Sequence, residues 1–294
     1  MTFAKFREDT KAPNEAPPPG SCDCQVHIFG DPRRYPVRTG SAYSPPDDAT
    51  IDAAARMHRK LGLDRGVVVQ ATAHGMNHDI IVDALKAHPN YRGVAIIDDS
   101  ISDKELQRLH DAGCRAARFN FWKALNLAPT PESFRRAVDR VKGLGWHVKI
   151  HAVGAEWFDI QDLLKEVTIP MVIDHMGHVH AHDGIEQPVF RLICELVRRD
   201  NWWVLLSNGD RCSDHDAPWD DIVPFGRKLV EVAGERALWC TDWPHVRYEK
   251  STMANDGDLL ELLYRFAPDA TMRKRILVDN PQVLFRFDEE PRKA

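Results

Sequence analysis

No stretch of this chain approaches the roughly 18 consecutive apolar residues of a membrane-spanning helix, so none is expected. The opening residues, MTFAKFREDTKAPNEAPPPG, contain no apolar secretion-signal core, which makes a cytoplasmic location the expectation. Positive charge is not in excess. The 39 Lys and Arg face 44 Asp and Glu, for a net charge of −5, which gives no electrostatic reason to expect a nucleic-acid partner. There is no Cys-x-x-Cys pair. Cys22, Cys24, Cys114, Cys194, Cys212 and Cys240 are scattered, which argues against a zinc ribbon or a redox dithiol and for reduced, structural thiols. No glycine-rich phosphate loop follows an early strand, so a doubly wound nucleotide-binding sheet is disfavoured. No internal repeat is evident.

What is present is alternation. With 294 residues and 43% apolar content, one core without staples is feasible. Residues 1–20 are polar and proline-rich and read as an extended N-terminal arm; residues 21–294 read as one domain. Eight short apolar runs read as strands: 24–29, 66–71, 91–97, 116–121, 146–152, 170–176, 202–208 and 237–243. Helical patterns lie between them. One, from Ser102, carries a capping box with Glu105; another has Pro131 in its first turn and glycine at its end. Strands alternating with helices, and apolar on both faces, predict a single-domain (β/α)8 TIM barrel.

In such a barrel the active site lies at the C-terminal ends of the strands. Those ends carry Gln25 and His27, then Thr72 and His74, Arg118 and Asn120, His151, Asp174 with His175 and His178, Asn208 with Arg211, and Asp242 with His245. Ionisable groups therefore collect on one rim, while the strand centres are mostly apolar.

The stretch CDCQVHIFG (22–30), followed in order by RFNF (118–121), VIDHMG (172–177), WCTDWPH (239–245) and NPQVLFRF (280–287), resembles the amidohydrolase superfamily. Within it the chain is similar to the group containing 2-pyrone-4,6-dicarboxylate lactonase and galactarolactone isomerase. The resemblance covers about residues 17–285 and implies a lactone-processing site working without a divalent metal. It implies Asp242 as the water-activating base and His27 and His175 as carbonyl polarisers. Arg118 and Arg211 would hold substrate carboxylates, with Tyr43 and Thr72 as further contacts. His74, Lys123, His151, Gln25 and His245 complete the expected substrate-binding set. Two departures from the lactonase pattern are Ala124, where a second arginine is expected, and His151, where a tyrosine is expected.

The chemistry is consistent with these residue types. Water attacking a lactone carbonyl loses a proton to a base and creates an oxyanion that needs donors. A carboxylate serves as the base, and its pKa rises with burial and falls beside arginine. Guanidinium groups pair bidentately with carboxylates, matching a small anionic lactone from aromatic breakdown, carboxylated or sulfonated. Metal-dependent members place two histidines one residue apart on the first strand. Gln25 holds the first of those positions here and is a poor zinc ligand. No cofactor is therefore expected. Mononuclear zinc on His27, His151, His175 and Asp242 is a second reading, a sugar-acid lactone isomerase a third, and a non-catalytic binding barrel a fourth. The oligomeric state is left open. His58, His78, His88 and His110 read as surface residues, and His178, His180 and His182 as a solvated loop. Asp174 reads as a structural partner.

Overall fold

The computed structural model describes residues 5–289. Eight parallel strands run in sequence order: β1 (Cys22–Val26), β2 (Arg65–Val69), β3 (Tyr91–Ile96), β4 (Cys114–Asn120), β5 (His147–His151), β6 (Met171–Ile173), β7 (Trp202–Leu206) and β8 (Ala237–Trp239). Past the ladders, the first and last strands are joined by His27 N donating to Trp243 O at 2.7 Å and Asp242 N donating to Gln25 O at 3.2 Å. The result is a nearly closed (β/α)8 barrel, as the alternation predicts.

The connecting helices are α1 (Ile51–Leu61), α2 (Asp79–Ala87), α3 (Asp103–Ala112), α4 (Pro131–Lys142), α5 (Glu156–Lys165), α6 (Pro188–Leu196), the single turn α7 (Gly209–Cys212), α8 (Val223–Ala233) and α9 (Asp256–Phe266). Their starts follow local chemistry. The Ser102 hydroxyl accepts from Glu105 N, and the Thr130 hydroxyl accepts from Ser133 N ahead of Pro131. No helix among the described residues is long and apolar enough to cross a membrane. All six cysteines are free and buried.

All eight strands end before their apolar runs do, β6 by three residues and β8 by four. After β6 the chain turns at Asp174, and His175 and Met176 take φ of 52° and 53°. After β8, Asp242 takes φ 64°. A left-handed residue cannot continue a pleat, so His175 and Asp242 are presented from turns above the barrel.

The core has two parts. A small cluster inside the barrel contains Cys22, Cys24, Val67, Val69, Val94, Ala116, Val172, Leu205, Leu238 and Cys240, and a larger one lies between strands and helices. Register along β1 shifts between Asp23 and Val26. Cys24 faces inward and Val26 outward, yet Gln25 also reaches into the barrel. The irregularity changes the parity of the strand, so that both Gln25 and His27 turn toward the barrel axis.

Two histidines read as surface residues are buried. His58 sits between the Tyr91 hydroxyl at 2.7 Å and Asp23 Oδ2 at 3.1 Å. His78 bridges Glu105 Oε1 at 2.9 Å and the Ile96 carbonyl at 2.8 Å. Both lie on helix faces or starts that pack inward, and each satisfies its ring nitrogens there, the condition for burying a polar ring. The arm packs on the barrel: Phe6 makes an edge contact with Trp243 at 4.9 Å between ring centres, and Lys11 N donates to Asn255 Oδ1 at 2.9 Å.

Candidate active site

Asp242 is almost wholly buried, and its two oxygens have different partners. Oδ1 accepts from Gln25 Nε2 at 2.9 Å and lies 3.5 Å from His27 Nε2 and 3.7 Å from His175 Nε2. Oδ2 faces Arg211 Nη2 at 3.9 Å. Burial pushes the carboxyl pKa up, but the neighbouring His175, His27 and Arg211 outweigh it and hold Asp242 well below the usual carboxylate range. The opposition between burial and cations, open from sequence, is thus decided in favour of the ionised form.

The orientation of Gln25 follows from its neighbours. Its Oε1 accepts from Lys149 Nζ at 2.5 Å, because an ammonium only donates. Its Nε2 therefore donates to Asp242 Oδ1 and to His175 Nε2, the latter at 3.0 Å. His175 Nε2 must then be an acceptor, and its Nδ1–H points at the Ser207 hydroxyl at 2.8 Å. Burial pushes the His175 imidazole down to about 4, so the ring is neutral at pH 7. Both of its nitrogens are committed within the protein. In this arrangement His175 presents no free N–H to the cavity. His27 differs: Nδ1 meets the Val69 carbonyl at 2.8 Å, and Nε2 is directed at the cavity beside Asp242.

Below this layer, Asp174 is fully buried between two cations. Arg118 Nε donates to Oδ2 at 2.8 Å, and Lys149 Nζ lies 3.2 Å from Oδ1. One carboxylate thus orients the guanidinium that lines the cavity and the ammonium that orients Gln25.

The cavity holds about 570 Å³. Its walls include His27, Tyr43, Thr72, Arg118, Trp122, His151, His175, His178, Arg211, Asp242 and Arg247. Burial raises the Tyr43 phenol to about 12. His151 Nδ1 lies 3.0 Å from Asn120 Oδ1, and its Nε2 lies 3.1 Å from His178 Nε2. Burial pushes both imidazoles well below their usual pKa.

Of the residues expected from sequence, the structure brings Asp242, His27, His175, Arg118, Arg211, Tyr43, Thr72 and His151 to this cavity, with Gln25 directly beneath. Three others lie elsewhere. Lys123 is on the surface, paired with Asp159 at 3.1 Å, because the short turn after β4 carries it outward. His245 is buried against Asp256 at 3.0 Å, a structural ion pair at the start of α9. His74 lines a neighbouring cavity of about 870 Å³ with Tyr35 and Pro46. Three residues at or beside the site were not foreseen as site residues. His178 came from a run read as solvated loop, although His180 and His182 in that run are exposed at the cavity mouth. Lys149 lies in the middle of β5, fully buried beneath the strand ends. Arg247 carried no sequence signal, since only the fold of its loop turns it inward.

The donors do not fit a divalent metal. The histidine nitrogens and Asp242 converge, but the Gln25 amide hydrogens already occupy His175 Nε2 and Asp242 Oδ1, with the Lys149 ammonium behind them. Among the described residues no group of three His, Cys, Asp or Glu side chains is arranged to hold a metal.

Comparison with known proteins agrees with this architecture. The family described as amidohydrolase matches residues 22–287. The chain is 35% identical over 271 residues to a 4-sulfomuconolactone hydrolase from Hydrogenophaga intermedia, covering 91% of this chain and 89% of the relative. It is 36% identical over 282 residues to a 2-pyrone-4,6-dicarboxylate hydrolase from Comamonas testosteroni, covering 92% of each. Among solved structures, the Agrobacterium tumefaciens protein ATU3138 superposes with a TM-score of 0.80 at 26% identity, over 94% of this chain and 98% of that one. By motif order, barrel and sequence identity along nearly its whole length, the chain belongs to the amidohydrolase family.

Proposed function

We propose that the protein is a metal-independent hydrolase that opens an acid-bearing lactone ring of the kind formed in aromatic breakdown. The observation that carries this reading is a buried, ionised carboxylate, Asp242, facing one cavity with the guanidinium groups of Arg118 and Arg211. The relatives named for sulfomuconolactone and pyrone dicarboxylate hydrolysis support the substrate class.

Asp242 Oδ1 is held by the Gln25 amide, so Oδ2 is the oxygen left for water. The water oxygen attacks the lactone carbonyl carbon while its proton passes to Oδ2. His27 Nε2 donates to the forming oxyanion. In that role His27 is the imidazolium, because its Nδ1–H is committed to Val69. When the intermediate collapses, the ring C–O bond breaks and the leaving oxygen takes the proton from Asp242. The new carboxylic acid then ionises, releasing one proton to solution. Asp242 is a weak base by pKa alone, and its effectiveness comes from holding water and a polarised carbonyl in one geometry. Arg118 and Arg211 bind acid groups on the ring.

The test is a pH-stat assay with 4-sulfomuconolactone and 2-pyrone-4,6-dicarboxylate. One equivalent of acid per ring consumed is expected. Ring consumption without acid release would make the protein an isomerase, and no consumption of either lactone would remove the lactonase reading.

A further inference from the structure

Two cations in the cavity lining take no part in the mechanism above: Lys250, whose ammonium donates to the Ser213 carbonyl at 2.6 Å, and Arg247. Arg247 lies three residues past the cis Trp243–Pro244 peptide, with φ 58°. Its guanidinium lies over the Trp122 ring at 4.4 Å and lines the cavity that contains Asp242. Its Nε and Nη1 are closed off from solvent and have no hydrogen-bond partner. No carboxylate among the described residues forms an ion pair with it. The acids nearest in the lining are engaged or outward-facing: Asp214 pairs with His182 at 3.1 Å, Asp242 accepts from Gln25, and Glu249 is exposed.

The backbone around Arg247 is nevertheless held. Arg211 Nη2 donates to the Val246 carbonyl at 3.1 Å, and Arg211 Nη1 donates to the Arg247 carbonyl at 3.3 Å. A guanidinium fixed by its backbone and by an indole face, yet unpaired at its own nitrogens, is an unfavourable arrangement unless an anion joins it. Stacking occupies the face of the group and leaves its edge available for the two parallel bonds that an oxyanion accepts.

We propose that Arg247 holds a second acid group, a carboxylate or sulfonate, on the lactone that Asp242 opens. The substrate is then a lactone with two acid groups, one at Arg118 and Arg211 and the other at Arg247 against Trp122. Arg247 and Tyr43 also line the neighbouring cavity of about 870 Å³, so the second acid group sits where the two spaces meet. This assignment rests on the lactonase reading and specifies its substrate class.

The experiment measures binding by calorimetry to Asp242→Asn protein, with and without Arg247→Met. The probes are two matched pairs. The first is 4-sulfomuconolactone against muconolactone, which lacks the sulfonate. The second is 2-pyrone-4,6-dicarboxylate against 2-pyrone-6-carboxylate. Arg247→Met is expected to weaken binding of the two-acid member of a pair by about 10- to 100-fold, the effect of losing a charged hydrogen bond, and to leave the one-acid member within about threefold. An effect confined to the first pair identifies the group as sulfonate, and one confined to the second as carboxylate. Arg247→Lys, which keeps charge but not the planar fork, recovers part of the loss. It also serves as the discriminating variant should Arg247→Met fold poorly. Equal weakening of both members of each pair, or no weakening, overturns the assignment. Wild-type turnover is measured alongside: turnover together with unaltered discrimination in Arg247→Met removes the Arg247 role alone, while a protein that neither binds nor opens any of the four rings removes the lactonase reading with it.

Discussion

The amide nitrogen of Gln25 lies 2.9 Å from Asp242 Oδ1 and 3.0 Å from His175 Nε2, and donates a hydrogen to each. A residue that reads as a lost metal ligand is therefore a donor that fixes the proposed catalytic carboxylate. Its own oxygen is fixed in turn by Lys149, so that a buried chain of contacts runs from Asp174 through Lys149 and Gln25 to Asp242.

Gln25→Glu tests that relationship. One new carboxylate oxygen keeps Lys149, but the other meets Asp242 Oδ1 acceptor to acceptor. A like charge disfavours ionisation, so the Asp242 pKa rises. The acid limb of kcat/KM is expected to move up by about one unit or more. In the same variant kcat is expected to fall by about 10- to 100-fold, the effect of losing a charged hydrogen bond. A pH–rate profile identical to wild type would show that Gln25 does not govern the protonation of Asp242.

Chelation is expected to leave activity intact, because the Gln25 amide hydrogens occupy the donor atoms that a metal would need. The check is metal analysis of protein purified without chelator, alongside turnover before and after EDTA. Stoichiometric zinc lost in step with activity would overturn the metal-independent reading.

Asp242→Asn is expected to reduce kcat by about 10²- to 10⁴-fold with little change in thermal midpoint. Arg211→Met should mainly raise KM for the anionic ring, since Arg211 forms no close carboxylate pair, Asp242 lying 3.9 Å away. Arg118→Met should raise KM and also destabilise the fold, by up to about 3 kcal/mol, because it leaves Asp174 buried with Lys149 alone. Kinetics and urea unfolding on the three variants separate these outcomes; an Asp242→Asn enzyme with wild-type turnover would remove Asp242 as base.

Stability should fall in mild acid. Burial pushes His147 down to about 3 and His175 down to about 4, against roughly 6.5 for an unfolded histidine. As pH falls below about 6.5 the unfolded chain binds protons that the folded chain refuses, so the unfolded state gains. Each such group contributes up to about 1.4 kcal/mol per pH unit until its folded pKa is reached. His151 and His178 act in the same direction. His245 opposes it: burial lowers its pKa, Asp256 and Asp210 raise it more, and its contribution is complete at low pH and lost as pH rises. Urea midpoints measured from pH 7 to 5 are expected to decline, and His147→Leu should flatten the slope. Flat midpoints would contradict the neutral state of these rings.

Phe6→Ala tests the arm. Phe6 packs on Trp243, the residue after Asp242, so its loss should loosen that turn. A destabilisation of about 1–3 kcal/mol with a drop in kcat larger than any change in KM is expected. Unchanged kcat would confine the arm to a packing role.

Much of the scaffold was legible in the chain. Apolar runs alternating with amphipathic stretches gave eight strands in order, and the Ser102 capping box and Pro131 marked helix starts by local chemistry. Because a barrel exposes chemistry at strand ends, Asp242, His27, Arg118 and Arg211 were found by position. What was misread shares one cause. His58 and His78 carry polar side chains on faces that bury, and their partners, Asp23, Tyr91, Glu105 and the Ile96 carbonyl, lie between 18 and 35 residues away. Lys123 and His245 sit next to motif residues in sequence, but turns direct them away from the cavity.

The sequence by itself determined the barrel, because hydrophobic period and end caps are encoded within a few residues of where they act. Only the tertiary structure decided that a register shift in β1 turns Gln25 and His27 inward together, that cations hold Asp242 ionised despite its burial, and that Arg247 enters the site without a partner. Those outcomes depend on distances between side chains far apart along the chain, and electrostatic interactions change steeply with distance and solvent exclusion.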